Sequence, residues 1–211
     1  MSSKVKAYEI VSAIKEEIIT GKLQPKERLK EEDIANRFNV SRTPVREALN
    51  ILVNIGLAQE IPYKGAQVAM FDKHKIVELY QVRKVLEGLA TELATPEITK
   101  EGKMQLDEML VYMDTAISEL NFEAYGKLQD EFHELIYSFC PNSYLRDLTK
   151  ELLLKTVTFR RASSSTIKTS KSSNESHKKI VEAIHDNNPK LARRLTEDHV
   201  EIILKSLSVE D

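Results

Sequence analysis

The segment Val40-Ser41-Arg42-Thr43-Pro44-Val45-Arg46-Glu47-Ala48-Leu49 holds a helix start and two chemically distinct faces. Ser41 can cap a helix, and Pro44 is tolerated in the first turn because the N–H that proline lacks has no intrahelical partner there. Val45, Ala48, Leu49 and Leu52 follow the i, i+3, i+4, i+7 spacing of a buried stripe, which leaves Arg42, Thr43, Arg46 and Asn50 on the other side. That second face is short, basic and rich in hydrogen-bond donors.

Upstream, residues 31–38 predict another short helix with Ile34, Ala35 and Phe38 inward, separated from the first by only Asn39 and Val40. Two helices so joined have helix-turn-helix geometry, in which the second presents its N-terminal residues to the DNA major groove. Before them, Tyr8, Val11, Ile14 and Ile18 predict one face of a helix that Gly21 ends, and Gly21-Lys22-Leu23-Gln24-Pro25 is a turn. Downstream, Gly56 breaks the recognition helix, and residues 57–61 and 66–70 flank Pro62-Tyr63-Lys64-Gly65. This predicts a two-stranded wing. Its tip carries Lys64 beside Gly65, whose missing side chain lets the backbone approach a phosphate or the minor groove.

The 211 residues are 41% hydrophobic, enough for a core, and suit two domains better than one. The net charge is only −2, so the chain is not a bulk polyelectrolyte binder and any nucleic-acid contact must be local. Residues 1–71 hold 11 Lys+Arg against 9 Asp+Glu, and residues 72–211 hold 20 against 24, an asymmetry in the direction a DNA-binding head requires. The single cysteine, Cys140, excludes an internal disulfide and suits a reducing compartment, with a buried apolar role beside Pro141. With no apolar signal core and no membrane-length apolar run, a soluble cytoplasmic protein is expected.

Beyond Phe71 strand signals stop, and helical patterns predict helices over 74–94, 99–120, 122–139, 143–161, 176–185 and 189–207. Residues 162–174, crowded with Ser, Thr and Lys, predict a mobile loop. The expected fold is mainly α. A winged helix-turn-helix DNA-binding domain over 1–71 precedes an all-α antiparallel helical bundle over 72–211.

These residues resemble the GntR family of bacterial transcription regulators, in its FadR-like branch with an all-helical C-terminal ligand domain of the FCD type. The first domain matches through Gly21-x-Leu23-x-Pro25, Arg28-Leu29, Ile34-Ala35, the Val40 to Leu49 segment, Leu52, Gly56-Leu57 and Gly65. The second matches more loosely, through Leu79-Tyr80-Gln81-Val82-Arg83-x-x-x-Glu87, Phe132-His133, Asn142-x-x-Leu145, His177 and His199. Six helices there would correspond to the shorter, VanR-like sub-branch. The resemblance implies a homodimer that grips a palindromic double-stranded operator, most members of the branch being repressors released by a metabolite. It carries DNA contact onto Arg28, Ser41, Arg42, Thr43, Arg46, Lys64 and Gly65. Physically, Arg42 and Arg46 suit bidentate contacts to guanine or phosphate, and Ser41 and Thr43 suit phosphate. Where the fatty-acid-responsive members place an arginine in the second helix, this chain has Glu32, so operator preference does not carry over.

For the second domain, the resemblance implies a divalent metal, zinc, nickel or manganese, held by His133, His177 and His199 from three helices, with positions open for a small organic acid. The carboxylate that metal-binding members place four residues before the first histidine is Gln129 here, which offers an oxygen without charge. Asp130 is the alternative oxygen donor; taking Leu128, Phe132, Leu135 and Phe139 as the buried stripe, helical phase favours Gln129 as the inward residue and sets Asp130 nearer solvent. The alternative is a metal-free pocket whose histidines bond the effector directly. Arg83 is the candidate effector-carboxylate partner, against an i, i+4 pair with Glu87 on the helix surface. Arg160 and Arg161 can also reach such a pocket, and the sequence does not choose between them; His74 and His185 are expected at the surface. An effector-responsive regulator is the leading class, ahead of a constitutive DNA-binding protein with a degenerate sensor. A metal-dependent enzyme ranks last, since no acid–base pair or activated nucleophile accompanies the histidines.

Overall fold

The computed structural model describes residues 3–61, 65–70, 73–157, 159–160 and 166–208. The chain divides into two compact units, Met1–Phe71 and Asp72–Asp211. In the first, α1 (Ser3–Ile19) is followed by β1 (Arg28–Leu29), α2 (Glu31–Phe38), α3 (Arg42–Asn54), β2 (Ala58–Ile61) and β3 (Gly65–Val68).

The core of this unit is made where α1 and α3 pack, with Ile10, Ile14, Val45, Ala48 and Leu52 almost wholly buried. The α3 stripe is the one its spacing predicts. On α1 the phase differs: Tyr8 is exposed and Val11 only half-buried, while Ala7 and Ile10 join Ile14 and Ile18 inside. Ala7 and Ile10 lie seven and four residues before Ile14 and so share its face, whereas Val11 is rotated about 60° and Tyr8 about 120° from it. Gly21, at φ +75°, takes the left-handed conformation that follows the α1 C-terminus. The turn between α2 and α3 is closed by Asn39, also left-handed at φ 49°, whose N–H donates back to the last turn of α2.

The wing is a three-stranded antiparallel sheet in the order β1-β3-β2 rather than two-stranded. Arg28 pairs with Gln67 and Leu29 with Ala66, while the β2–β3 hairpin runs from Ala58 opposite Val68 to Ile61 opposite Gly65. The Lys26 N–H to Val68 carbonyl bond and the Val68 N–H to Glu27 carbonyl bond carry the β1 ladder outward. A two-residue strand is too short to show alternation, which is why Arg28-Leu29 gives no strand signal in the sequence.

The second unit contains α4 (Lys73–Ala94), a 3₁₀ turn at Thr95–Glu97, α5 (Lys100–Ser118), α6 (Phe122–Ser138), α7 (Ser143–Lys155), α8 (Ile167–His185) and α9 (Pro189–Ser208). Its core includes Leu106, Met113, Phe132, Ile136, Ile180 and Ile184. Side chains of Thr99, Asn121 and Asn142 cap α5, α6 and α7 by accepting backbone N–H groups three residues on. Helix α7 ends at Lys155 rather than continuing unbroken to 161, with Thr156 as its C-cap.

The expected loop at 162–174 is corrected from Ile167 onward, where α8 is already helical; residues 162–165 lie outside the described set. Thr166 caps this helix in a reciprocal capping box with Thr169. Two of its polar inward positions find partners in part: the Tyr125 hydroxyl donates to the Ser170 carbonyl, and Asn174 Nδ2 donates to Asp114 Oδ1 at 2.7 Å, while Asn174 Oδ1 is buried without one. Among the described residues, no helix is long and apolar enough to cross a membrane.

Candidate functional site

In the first unit, α3 exposes Arg42, Thr43, Arg46 and Asn50 together, the face expected from the pattern. Ser41 occupies the N-cap with extended backbone but makes no side-chain cap bond, because Pro44 at the third helical position withholds one of the N–H groups that could donate to it. Ser41 is exposed next to Arg42. Arg28 lies exposed on β1, and Gly65 begins β3 at φ +84° with open space where a Cβ would stand. Lys64 lies outside the described residues. Between α3 and the wing runs a groove of about 560 Å³ lined by Glu31, Arg46, Asn50, Val53, Ile61 and Gly65, among others.

Both arginines of this face meet carboxylates from α2. Arg46 Nε donates to Glu31 Oε1 and Oε2 at 3.0 and 2.9 Å, and Arg42 Nη2 lies 3.7 Å from Glu32 Oε2. The sequence reading had Glu32 only as a departure from the family pattern and gave Glu31 no role. Nothing in α2 alone indicates that its first turn would lie beside the first turns of α3.

In the second unit, α6, α8 and α9 bring His133, His177 and His199 together, each offering a ring nitrogen within 4.8 Å of the others. Ring centroids are 5.1 Å apart for His133 and His177, 5.6 Å for His133 and His199, and 4.6 Å for His177 and His199. All three are buried. Burial holds the His133 and His177 imidazoles neutral far below the ordinary histidine range, reinforced by the neighbouring histidines and Arg160, and for His133 also by Arg83. Burial also takes His199 down to about 4, with Glu87 opposing the shift.

The inward face of α6 is centred on Tyr125, Gln129, Phe132 and Ile136, with His133 and Tyr137 beside it. Leu128, Leu135 and Phe139, expected as the centre of the stripe, lie at its partly buried edge. Gln129 is fully buried; its Nε2 donates to Ser173 Oγ at 3.1 Å and its Oε1 has no partner. Asp130 lies nearer solvent and pairs with Arg160 Nη2 at 2.6 Å. Arg160 is nearly wholly buried, and Arg161 lies outside the described residues.

Arg83 does pair with Glu87, through Nε to Oε1 at 2.5 Å, but in the interior rather than on the helix surface. The Tyr137 hydroxyl donates to Glu87 Oε2 at 2.9 Å, and Arg83 Cζ stacks 4.4 Å from the Tyr80 ring centroid. Burial works against the Arg83 charge, yet Glu87 beside it more than offsets this and keeps the guanidinium protonated. Tyr137 has no role in the sequence pattern, and Glu87 enters it only through the family match and as the i+4 partner of Arg83, not as a site residue.

The donor set fits a divalent ion. His133 Nε2 and both ring nitrogens of His177 are buried without hydrogen-bond partners, the imidazoles are neutral and so able to coordinate, and Gln129 Oε1 is a buried acceptor without a donor. Arg83 Nη1 and Arg160 Nε and Nη1 are likewise buried without partners. His74 and His185 stand at the surface, and Cys140 is buried, as read from sequence.

Comparison with known proteins places both units. Residues 6–68 match the family described as bacterial regulatory proteins, gntR family, and residues 78–202 match the FCD domain. An uncharacterised helix-turn-helix regulator of Bacillus subtilis, YdhC, is 30% identical over 145 residues, 68% of this chain. That match covers 65% of YdhC, just under two thirds of its length. A probable D-xylose utilization operon transcriptional repressor of Paenarthrobacter nicotinovorans is 27% identical over 92% of this chain and 85% of its own. The solved structure of Escherichia coli McbR/YncC superposes with a TM-score of 0.84 at 20% identity, covering 99% of this chain and 98% of that one, a likeness of fold. With a helix-turn-helix unit matching the one pattern and a helical unit matching the other, the chain belongs to the GntR family of bacterial regulatory proteins, in the group that carries an FCD domain.

Proposed function

We propose that this chain is a DNA-binding transcription regulator, a repressor that grips a palindromic operator as a homodimer and is released by a small organic acid sensed in its helical unit. The DNA-binding half rests on family membership and on the exposed Arg42, Thr43, Arg46 and Asn50 face of α3, with Ser41, Arg28 and Gly65 as further candidates and Lys64 carried over from the family resemblance alone. The sensing half is carried by one observation: partnerless nitrogens on buried neutral imidazoles, in a cluster held within 4.8 Å and within the field of Arg83 and Arg160. The curated relatives it matches are named as transcription regulators, so the site is read as one of recognition rather than turnover.

His133, His177 and His199, with Gln129 as a neutral oxygen donor, would hold zinc, nickel or manganese. When bound, such an ion supplies coordination positions that carboxylate oxygens can fill. Arg83 contributes one N–H edge toward an acid, since Glu87 occupies its Nε, and Arg160 is a second cationic partner. Binding that favours one arrangement of the helical unit over another would shift operator affinity by that difference. A metal-free pocket is the second reading. It is favoured by the missing charge at Gln129 and by the two buried guanidinium groups, which oppose a cation.

The test is elemental analysis of full chain purified without chelators, beside a His133→Ala/His177→Ala/His199→Ala variant. About one metal per chain, lost in the variant, supports the metal-held effector. No metal in either sample after incubation with zinc, nickel and manganese refutes it in favour of the metal-free pocket. Titration of the protein against promoter DNA with and without small carboxylic acids then tests release.

A further inference from the structure

We propose that Glu31 is the positioning residue for sequence readout, fixing the Arg46 guanidinium by its Nε edge and so setting which base pair its terminal nitrogens select. The inference rests on the DNA-binding reading above and adds to it a residue outside the recognition helix.

The geometry is specific to this pair. Both Glu31 oxygens accept from Arg46 Nε, at 3.0 and 2.9 Å, and neither Nη atom of Arg46 has a partner among the described residues. The remaining Nη1–Nη2 edge is the fork that matches guanine O6 and N7. Glu31 and Arg46 both line the groove between α3 and the wing; the carboxylate side chain is 26% exposed and the arginine 63%. The anchor is therefore largely sheltered and the fork projects. An arginine on a free stem loses rotamer entropy when it docks on a base, whereas one already held in a single orientation loses less.

Arg42 supplies the contrast. Its approach to Glu32 is 3.7 Å, beyond hydrogen-bond distance, between side chains 62% and 72% exposed. The two arginines are equally exposed, so the difference lies in the carboxylates: Arg42 makes no hydrogen bond to exposed Glu32, while Arg46 bonds both oxygens of the more sheltered Glu31. Glu31 and Glu32 also place negative charge beside both arginines, which weakens attachment to phosphate alone and raises the share of affinity that depends on sequence. A carboxylate in the first turn of α2 also interacts favourably with the helix dipole, a role that requires no contact with Arg46. The two roles separate experimentally.

Duplexes are selected from a random library by the full-length protein, and the winner with its single-base variants is titrated by fluorescence anisotropy at fixed ionic strength. Wild type, Arg46→Ala, Arg46→Lys, Glu31→Gln and Glu32→Gln are compared. The expected result is that Glu31→Gln loses about ten-fold of discrimination at the base pair relaxed by Arg46→Ala and Arg46→Lys, and at no other. It should add nothing in the Arg46→Ala background, and Glu32→Gln should leave that base pair unaffected. Should Glu31→Gln not fold, Glu31→Asp, which draws the carboxylate back, is read the same way. A uniform loss of affinity for every duplex with a lowered melting temperature, or an unchanged base preference, overturns the proposal while leaving the DNA-binding reading intact. Failure of the wild type to enrich any duplex overturns both.

Discussion

Acidification should destabilise the metal-stripped helical unit through its three buried histidines, and the window is set by their protonation. In the unfolded chain each imidazole takes up a proton below about 6.5. In the folded chain His199 does so only near 4, and burial holds His133 and His177 well below the ordinary range. The unfolded state therefore binds more protons as pH falls, so stability is fully present above about 6.5 and is lost on the way down. From pH 6.5 to 5, His199 alone accounts for about 2 kcal/mol, at about 1.4 kcal/mol per pH unit. If all three stay neutral in the folded state the ceiling is about 6 kcal/mol, comparable with the whole stability of many domains. For a unit of this size 2 kcal/mol is a fall of roughly 6 °C in Tm. The assay is thermal unfolding of chelator-treated protein by circular dichroism between pH 7 and 5, beside a His133→Gln/His177→Gln/His199→Gln variant, whose Tm should stay nearly flat. Glu17, whose carboxyl is held low chiefly by its bond from Arg37, contributes only below its ordinary 4.5 and so falls outside this range. A flat wild-type profile, or an equal fall in the triple variant, would refute the assignment of the pH dependence to this cluster.

Zinc added at pH 7 should raise the wild-type Tm and keep most of that effect at pH 5, because the folded-state imidazoles are still neutral there and protons begin to compete for His199 only near pH 4; a rise of equal size in the triple glutamine variant would contradict this. Glu87→Ala should cost about 3–5 kcal/mol, since it strands the buried Arg83 charge and removes the acceptor of the Tyr137 hydroxyl, and urea unfolding followed in the helical unit measures it. Arg46→Ala should weaken binding to a selected operator by roughly 5- to 150-fold while changing stability by no more than about 0.5 kcal/mol, as measured by anisotropy and a thermal melt. Gly102→Ala should destabilise α5 by about 1–3 kcal/mol, because the new methyl would meet Phe139 Cζ at 2.7 Å, and a lower Tm reports it.

Where packing follows periodicity, the sequence was a sufficient guide. The stripe of Val45, Ala48, Leu49 and Leu52 dictates which side of α3 faces solvent, and the phase of α6 turns Gln129 inward and Asp130 outward. Periodicity fails where burial depends on partners remote in the chain. Ser170 and Asn174 read as solvent-seeking, yet Tyr125 on α6 bonds the Ser170 carbonyl, Asp114 on α5 accepts from Asn174 Nδ2, and the helix extends through both residues. For Arg83, spacing offered a surface pair or a ligand-facing charge; the pair with Glu87 forms in the interior and leaves Nη1 over. The histidine cluster was readable only through family resemblance, because nothing local to His133, His177 or His199 announces that three helices converge there.

The short strand β1 also has a mechanical consequence. A single residue, Lys30, separates Leu29 of β1 from Glu31 of α2, while Leu29 is held by β3 across from Ala66. The hairpin that ends at Gly65 and the first turn of α2 are therefore joined by the shortest available tether. Under the proposed DNA-binding mode, a push on the wing would reach the first turn of α2 across one residue, so that wing contact and the orientation of Arg46 by Glu31 would be coupled through the backbone.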